Sequence, residues 1–201
     1  MKTTILTAIF LFFTAQSFAQ YNKKDITIAP HLGLALSTYT TDENVAYNYR
    51  TSLALGAAVD FYFNDRWSLR TGAFYAPLGA EDDFNRIDKL NYLSIPLNAN
   101  WHFGSSRNWY LNFGLSGKFL MGATGELSDG SEIELDDFIK SFDAGLDLGI
   151  GYRFNVDENL QLFGEYQGYA GFIDVLDLGG GDFPELRNSA AIFNFGVVLK
   201  L

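Results

Sequence analysis

Apolar and polar residues alternate along eight segments of the chain, with the period of two that β-strands show. The segment NYLSIPLNANWHF at 91–103 is typical, because Leu93, Ile95 and Leu97 share one face with Trp101 and Phe103. Its other face carries mostly small or polar residues, such as Ser94 and Asn98. The predicted strands cover residues 26–37, 52–63, 67–78, 91–103, 109–121, 141–154, 160–172 and 191–201.

The connections between these strands alternate in length. Three are short turns around NDR, GSSRN and NVDEN, whereas the other four are longer and include ATGELSDGSEIELDDFIK. An up-and-down membrane barrel has short periplasmic turns at one end and long external loops at the other. A soluble β-sandwich has no reason for this asymmetry.

The composition of the polar face predicts which face meets lipid. That face is rich in Gly, Ser, Ala and Asn, which suits the narrow interior of a barrel of about eight strands. Aromatic residues gather near the short turns, where an interfacial girdle belongs: Trp67, Trp101, Phe103, Trp109, Tyr152 and Phe154. We therefore predict an all-β fold, an eight-stranded antiparallel up-and-down transmembrane β-barrel with its apolar face toward lipid.

The first residues have the pattern of a secretory signal peptide. Lys2 precedes an apolar run at 5–13, and Ser17-Phe18-Ala19 forms a small-x-small cleavage site. We predict a signal peptide at 1–19 and one outer-membrane barrel domain at 20–201. The chain has no cysteine, and no later apolar run approaches the length of a membrane-spanning helix.

The net charge and its distribution along the chain limit the classes of partner that this protein can bind. The formal charge is −10, which argues against nucleic acid as a partner. The long connections at 39–49, 79–90, 125–140 and 174–189 carry −2, −2, −5 and −3, which together exceed the charge of the whole chain. Outer-membrane lipid and lipopolysaccharide are the expected surroundings. Barrel-insertion machinery is the expected partner during biogenesis, and other envelope proteins are candidate partners.

Eight ionisable residues fall on the predicted inward face. Four are acidic and four basic, and they are expected to pair because an unpaired buried charge costs several kcal/mol. The turn at 64–66 places Asp60 opposite Arg70. We interpret the set as a structural charge network that plugs the lumen, with a gated pathway for small solutes as the alternative: Asp60, Arg70, Lys118, Asp143, Asp147, Arg153, Glu165 and Lys200.

No pattern points to catalysis, a cofactor or a defined metal site. His31 and His102 lie at different levels of the predicted barrel, which makes a shared metal or acid–base site improbable. The loop carboxylates offer one hypothesis, a divalent cation that bridges to lipopolysaccharide, although solvated surface charge is the preferred interpretation: Asp129, Glu132, Glu134, Asp136 and Asp137.

Two motifs carry a resemblance to a known family. GAFYAPLGA at 72–80 followed by YLSIPLNANWHF at 92–103 resembles the strand-loop-strand signature of the PorT-like outer-membrane β-barrel family, among the small OmpA/OmpX-type barrels of Gram-negative bacteria. The resemblance continues through DLGIGYRF at 147–154 to the end of the chain. One branch of that family helps to assemble a secretion machine, but Ser94 replaces the usual acidic residue, so this role is not carried over.

The sequence thus predicts an integral outer-membrane protein without enzymatic activity. Its expected role is structural or surface interaction through acidic external loops. A porin-like small-solute channel and an accessory component of a secretion or barrel-assembly complex are the alternatives. The last strand fits the pattern that insertion machinery recognises in its clients, polar-x-Gly-x-x-apolar-x-apolar, as Asn194, Gly196, Leu199 and Leu201.

Overall fold

A computed structural model describes residues 21, 23–42, 45–178 and 184–201. The predicted signal peptide at 1–19 lies outside these residues. The long connections contain two short strands, Ala80–Glu81 and Glu132–Glu134, and one 3-10 turn at Asp136–Phe138. Eight long strands form the framework: β1 Ile26–Thr41, β2 Asn48–Tyr62, β3 Trp67–Leu78, β4 Ile87–Phe103, β5 Trp109–Glu126, β6 Phe142–Asn155, β7 Leu160–Gly171 and β8 Leu186–Lys200.

The eight strands close into one antiparallel barrel, which confirms the predicted fold. Each strand pairs with the next along the chain, and β1 pairs with β8 to complete the ring. The last residue continues this seam, since the Leu201 backbone N–H donates to the Ile26 carbonyl at 3.0 Å. Within the described ranges, no helix has the length and apolar character that a membrane crossing needs.

Several strands are longer than the alternation predicts, and most of the added residues lie next to the long loops. β4 begins at Ile87 rather than 91, β5 ends at Glu126 rather than 121, and β8 begins at Leu186 rather than 191. These added residues mix charged, small and apolar types on both faces, so they lack the period-two signal. At the end with the long loops, the barrel wall therefore extends beyond the part of the barrel whose outer face is apolar.

The apolar parity faces outward. Leu97 and Leu148 leave 61% and 64% of their surface exposed, and Phe113 is also exposed. Around the short turns, Trp101 stacks on Phe103 with ring centroids 5.1 Å apart, and Trp109 meets Tyr152 at 4.8 Å. The contacts form a belt of aromatic rings from Trp67 on β3 to Phe154 on β6, which is typical of a membrane–water interface. We assign the end with the belt and the short turns, where Tyr21 and Leu201 also lie, to the periplasm.

The interior changes character along the barrel axis. Near the periplasmic end it is polar and charged, with a small apolar patch that includes Phe163, an inward aromatic that the irregular pattern of β7 concealed. Near the extracellular end it is an apolar core built around Leu78, Leu90 and Tyr92. The long loops contribute Ile139 and Val175 to that core.

A charge placed on the outer face should destabilise the barrel in lipid. We expect Leu148→Arg to lower the free energy of unfolding by about 2–4 kcal/mol, the usual cost of Arg near the bilayer midplane. Val156→Arg, in an exposed periplasmic turn, is the matched control and should change stability by less than about 1 kcal/mol. Urea titrations in phospholipid vesicles measure both, and equal effects would contradict the outward assignment.

Candidate functional site: the charged lumen and its closures

Four of the predicted lumen residues form a compact ion cluster in the periplasmic half of the barrel. Arg70 Nε lies 2.8 Å from Asp60 Oδ1, and Arg70 Nη2 donates to Asp60 Oδ2 at 3.2 Å. The other guanidinium nitrogen, Nη1, contacts Glu165 Oε2 at 2.7 Å. Arg153 Nη2 reaches Asp60 Oδ2 from across the barrel at 2.7 Å. Two cations and two anions thus compensate one another in a buried site.

Neutral side chains add further hydrogen bonds to this cluster. Asn100 Nδ2 donates to Asp60 Oδ1 and Asn194 Nδ2 donates to Glu165 Oε1, each at 3.2 Å. Arg153 also donates to the Tyr62 hydroxyl. Both guanidinium groups lie over the Tyr110 ring, with Cζ to centroid distances of 5.0 Å for Arg153 and 5.2 Å for Arg70. The charges of the cluster are thus stabilised by polar and aromatic side chains that the barrel holds in a fixed orientation.

Register and small residues position the cluster. Asp60 pairs directly with Arg70 across β2 and β3, the register that the short turn at 64–66 predicts. A side chain at Gly151 would collide with the ring of the fully buried Tyr110. Glycine on the inward face of β6 therefore leaves the space that the aromatic ring occupies.

A second group, Lys118 with Asp143 and Asp147, lies nearer the extracellular end. Lys118 Nζ donates to Ser94 Oγ at 2.9 Å and lies 4.1 Å from the centroid of the Tyr169 ring. Asn188 donates to Asp143 at 2.9 Å, and Asn98 donates to Asp147 at 3.2 Å. Among the described residues no carboxylate oxygen lies within 4.0 Å of Lys118 Nζ. The charged groups are therefore held by hydrogen bonds to neutral side chains rather than by contact ion pairs.

Lys200 does not join the lumen network. Its ammonium pairs with Asp25 at 2.6 Å, at the periplasmic rim. Although Lys200 has the inward parity, it is the last residue of β8, where the barrel interior opens. The ion pair therefore ties the N-terminal segment to the C-terminal strand.

A small cavity of about 50 Å³, lined by both apolar and charged side chains, lies between the two charged groups. Arg70 and Glu165 border it from the periplasmic side, and Lys118 and Asp147 border it from the other. Its volume suits a few water molecules, because one water needs about 10–15 Å³ measured in this way. His31 also lines it, with its ring against Phe74 and Phe163.

Tyr21 closes the periplasmic end of the lumen. It is 8% exposed, its ring stacks on Tyr62 at 4.1 Å, and its hydroxyl donates to Gln161 Oε1 at 2.6 Å. The Lys24 backbone N–H donates to the Tyr62 carbonyl at 3.0 Å, which fixes the segment against β2. Sequence alternation gave no signal for this closure, because Tyr21 precedes the first strand.

The third long loop, at 125–140, and the described part of the fourth, at 174–178 and 184–189, close the extracellular end. Lys140 N–H donates to the Val175 carbonyl at 2.8 Å, and Val175 N–H donates to the Leu186 carbonyl at 2.7 Å. These bonds hold Ile139 and Val175 in the apolar core above the charged lumen. Leu78 and Leu90 have the inward parity. Apolar residues at these inward positions are the sequence feature that could have predicted the apolar core.

The five loop carboxylates of the cation hypothesis have separate partners or positions. Asp129 accepts hydrogen bonds from the Ser131 hydroxyl and backbone, which lower the pKa of this carboxyl. Glu132 pairs with Lys89 at 2.7 Å, and Asp136 accepts from the Ala123 N–H at 3.1 Å. Across the described ranges no group of three or more potential ligands is arranged to hold a metal ion.

The predicted insertion-signal residues lie along β8. Asn194 faces inward to Glu165, and Gly196 pairs with His31 of β1 at the closing seam. Leu199 and Leu201 are exposed on the outside. Their part in insertion stays a prediction.

Together, the closed barrel, the apolar exterior and the aromatic belt define an integral outer-membrane β-barrel. The chain belongs to the family described as the outer membrane protein beta-barrel domain, whose model matches residues 15–177. No curated protein matches it in sequence.

Three solved structures share the fold at low sequence identity. OprG from Pseudomonas aeruginosa is 12% identical, with a TM-score of 0.53 over 92% of this chain and 99% of OprG. Neisserial surface protein A is 16% identical, with a TM-score of 0.55 over 88% of this chain and 97% of that protein. AlkL, determined by solid-state NMR in DMPC bilayers, is 15% identical, with a TM-score of 0.53 over 93% and 94%. At these identities the likeness concerns the fold alone.

Removing the carboxylate at the centre of the ion cluster should be costly. Asp60→Asn leaves Arg70 and Arg153 facing only Glu165, and we expect a loss of about 3–5 kcal/mol in unfolding free energy. The control is Asp65→Asn, which affects a partly exposed pair with Arg107 and should cost no more than about 1 kcal/mol. Urea unfolding in vesicles measures both changes. A loss at Asp60 as small as that at Asp65 would show that the cluster does not stabilise the barrel.

Proposed function

We propose that this protein is a non-catalytic surface-interaction barrel whose acidic extracellular loops bind cationic partners. One observation carries the proposal: the third and fourth loops fold over the extracellular mouth and place Ile139 and Val175 in the barrel core. What the molecule presents outward is therefore loop surface rather than an open pore. As an integral outer-membrane protein, the barrel lies among lipid and lipopolysaccharide.

The charge of those loops supports a cationic partner. The third loop carries exposed carboxylates at Glu134, Asp136 and Asp137, and the four long connections together outweigh the net charge of the chain. A surface of one sign steers oppositely charged molecules toward it, and salt weakens this attraction. Lys140 of the third loop is already paired with Asp174, and Lys89 of the second loop is already paired with Glu132.

A lysine-rich peptide provides the direct test. With the barrel in nanodiscs of zwitterionic phosphatidylcholine, we expect the peptide to bind and its affinity to fall as salt rises, because screening weakens exposed charge pairs. The double variant Glu134→Gln/Asp137→Asn should bind several-fold more weakly. The control Asp65→Asn/Glu158→Gln removes two carboxylates from the periplasmic turns and should bind like the parent. No binding by the parent protein, or equal loss in both variants, would contradict the proposal.

The closures also bear on the alternative of a small-solute channel. Tyr21 obstructs one end of the lumen and the apolar core obstructs the other, while the cavity between the charged groups is only about 50 Å³. Barrels of about eight strands generally have interiors that side chains fill. These features favour a closed lumen.

Planar-bilayer recordings test that conclusion. The refolded protein should show no steady conductance, since both ends of the lumen are obstructed. Steady unitary currents from the protein, absent from bilayers treated with detergent alone, would favour the channel over the closed barrel.

The PorT-like affiliation forms a finer part of the proposal. Its support is the motif YLSIPLNANWHF, which forms most of β4. Ser94 accepts a hydrogen bond from Lys118 at the position where the family motif has an acidic residue.

Affinity purification from native membranes tests the accessory role in a secretion or barrel-assembly complex. Stoichiometric recovery of a secretion or barrel-assembly complex would favour that role over independent surface interaction.

A further inference from the structure

The second loop, at 79–90, and the third loop border a cleft at the extracellular end of the barrel, to which the first loop contributes Tyr47. Its volume is about 310 Å³, at the lower end of the range for small-molecule sites. It lies above the apolar core and is distinct from the lumen cavity. The lining consists of apolar and acidic side chains with one guanidinium: Tyr47, Ala80, Asp82, Arg86, Asp88, Gly125, Glu126, Leu127, Ile133 and Leu135.

One wall of the cleft is apolar and is fixed by backbone hydrogen bonds. Ile133 pairs with Gly125 of β5, and the Leu135 N–H donates to the Ala123 carbonyl at 2.9 Å. Gly125 allows this approach, because a Cβ there would lie 3.2 Å from side-chain atoms of both Ile133 and Leu135. Ile133 nevertheless keeps 46% of its surface exposed, so the wall offers apolar area to a ligand.

Two of the three carboxylates in the cleft are already paired. Asp82 Oδ2 contacts Arg86 Nη2 at 2.5 Å, and its Oδ1 accepts from the backbone of the turn that follows. Glu126 pairs with Lys89 at 2.7 Å. Arg86 is the one cation among the described residues that line the cleft. Asp88 is thus the lining carboxylate without a contact ion pair, and the charges of Arg50 and Arg86 act on it only from beyond 4.0 Å.

Asp88 has no cation at contact distance. Its Oδ2 accepts a hydrogen bond from the buried Tyr39 hydroxyl at 3.2 Å, and within the described part of the chain no Lys, Arg or His nitrogen lies within 4.0 Å of it. Asp88 shares the inward parity of Leu90, which is fully buried in the apolar core. The carboxylate therefore has an apolar floor on one side and the open cleft on the other.

We propose that this cleft binds an organic monocation with an apolar stem, of the kind that a lysine side chain presents. The ammonium would contact Asp88, and the methylene groups would pack on Ile133 and Leu135. Lysine combines these two parts, a charged head and an apolar stem. The inference rests on the proposed function and makes it specific, since it assigns one basic side chain of a cationic partner to one site.

A divalent cation fits the cleft less well. Calcium takes six to eight oxygen ligands and magnesium requires near-octahedral geometry, whereas Asp82 and Glu126 are engaged by Arg86 and Lys89. A single available carboxylate beside apolar side chains suits an ammonium group instead.

Two small ligands test the proposal on the intact barrel in nanodiscs. Nα-acetyl-lysine methylamide should bind and shift the methyl NMR signals of Ile133 and Leu135. Nα-acetyl-norleucine methylamide keeps the stem without the charge, and we expect it to bind at least about tenfold more weakly, as the loss of a charge-assisted contact implies. Equal affinity for the two ligands, or no binding of the lysine derivative, would overturn the proposal without any variant.

Asp88→Asn gives the second test. It keeps the size of the side chain and should weaken the lysine derivative about tenfold while leaving the norleucine derivative unchanged. Asp83→Asn removes the same charge from an exposed position of the second loop outside the cleft and should bind like the parent. Unchanged lysine affinity in Asp88→Asn would remove Asp88 from the site and overturn the proposal.

The lysine-rich peptide separates this inference from the proposed function. If the peptide binds with the expected salt dependence but the lysine derivative does not, the acidic loops act as a diffuse surface and the cleft is excluded. If neither binds, both proposals fail.

Discussion

Closure of the sheet is the constraint on which the rest of this structure depends. In hydrocarbon, a backbone N–H or carbonyl without a partner costs several kcal/mol, so a sheet in a membrane cannot keep free edges. Here β1 and β8 pair along their lengths, and Leu201 extends the seam to Ile26. With the backbone satisfied internally, the outer side chains can be apolar, and polar side chains must go inward.

A ring of eight strands leaves an interior that side chains fill, and this determines the chemistry of the lumen. Charges there have little water, so Asp60, Arg70, Arg153 and Glu165 meet in contact ion pairs. Such a cluster need not make the barrel more stable than apolar side chains of the same volume would, because the cost of desolvation offsets much of the attraction. Its consequence is specificity of register: a slip of one residue in β2 would turn Asp60 toward lipid.

The parts of this architecture differ in how far local sequence determines them. Alternation predicted the strands and the inward parity of Asp60 and Arg70, because side-chain direction in a strand follows from position alone. It could not predict which charges meet across the barrel, since the contact between Arg153 and Asp60 depends on curvature and stagger. The alternation also could not predict the positions of Tyr21 and Val175, for another reason. They come from irregular segments whose positions are set by tertiary packing.

The two closures shift the functional question from the lumen to the loops. Because Tyr21 and the apolar core obstruct the two ends of the lumen, the proposed function assigns the concentration of carboxylates in the loops to binding rather than to transport. Most of those carboxylates are solvated or paired, as Glu126 is with Lys89, and contribute only a screened field. Asp88 differs because the apolar core beneath it prevents full hydration. A charge held between an apolar floor and an open cleft gains more from an arriving cation than an exposed charge does.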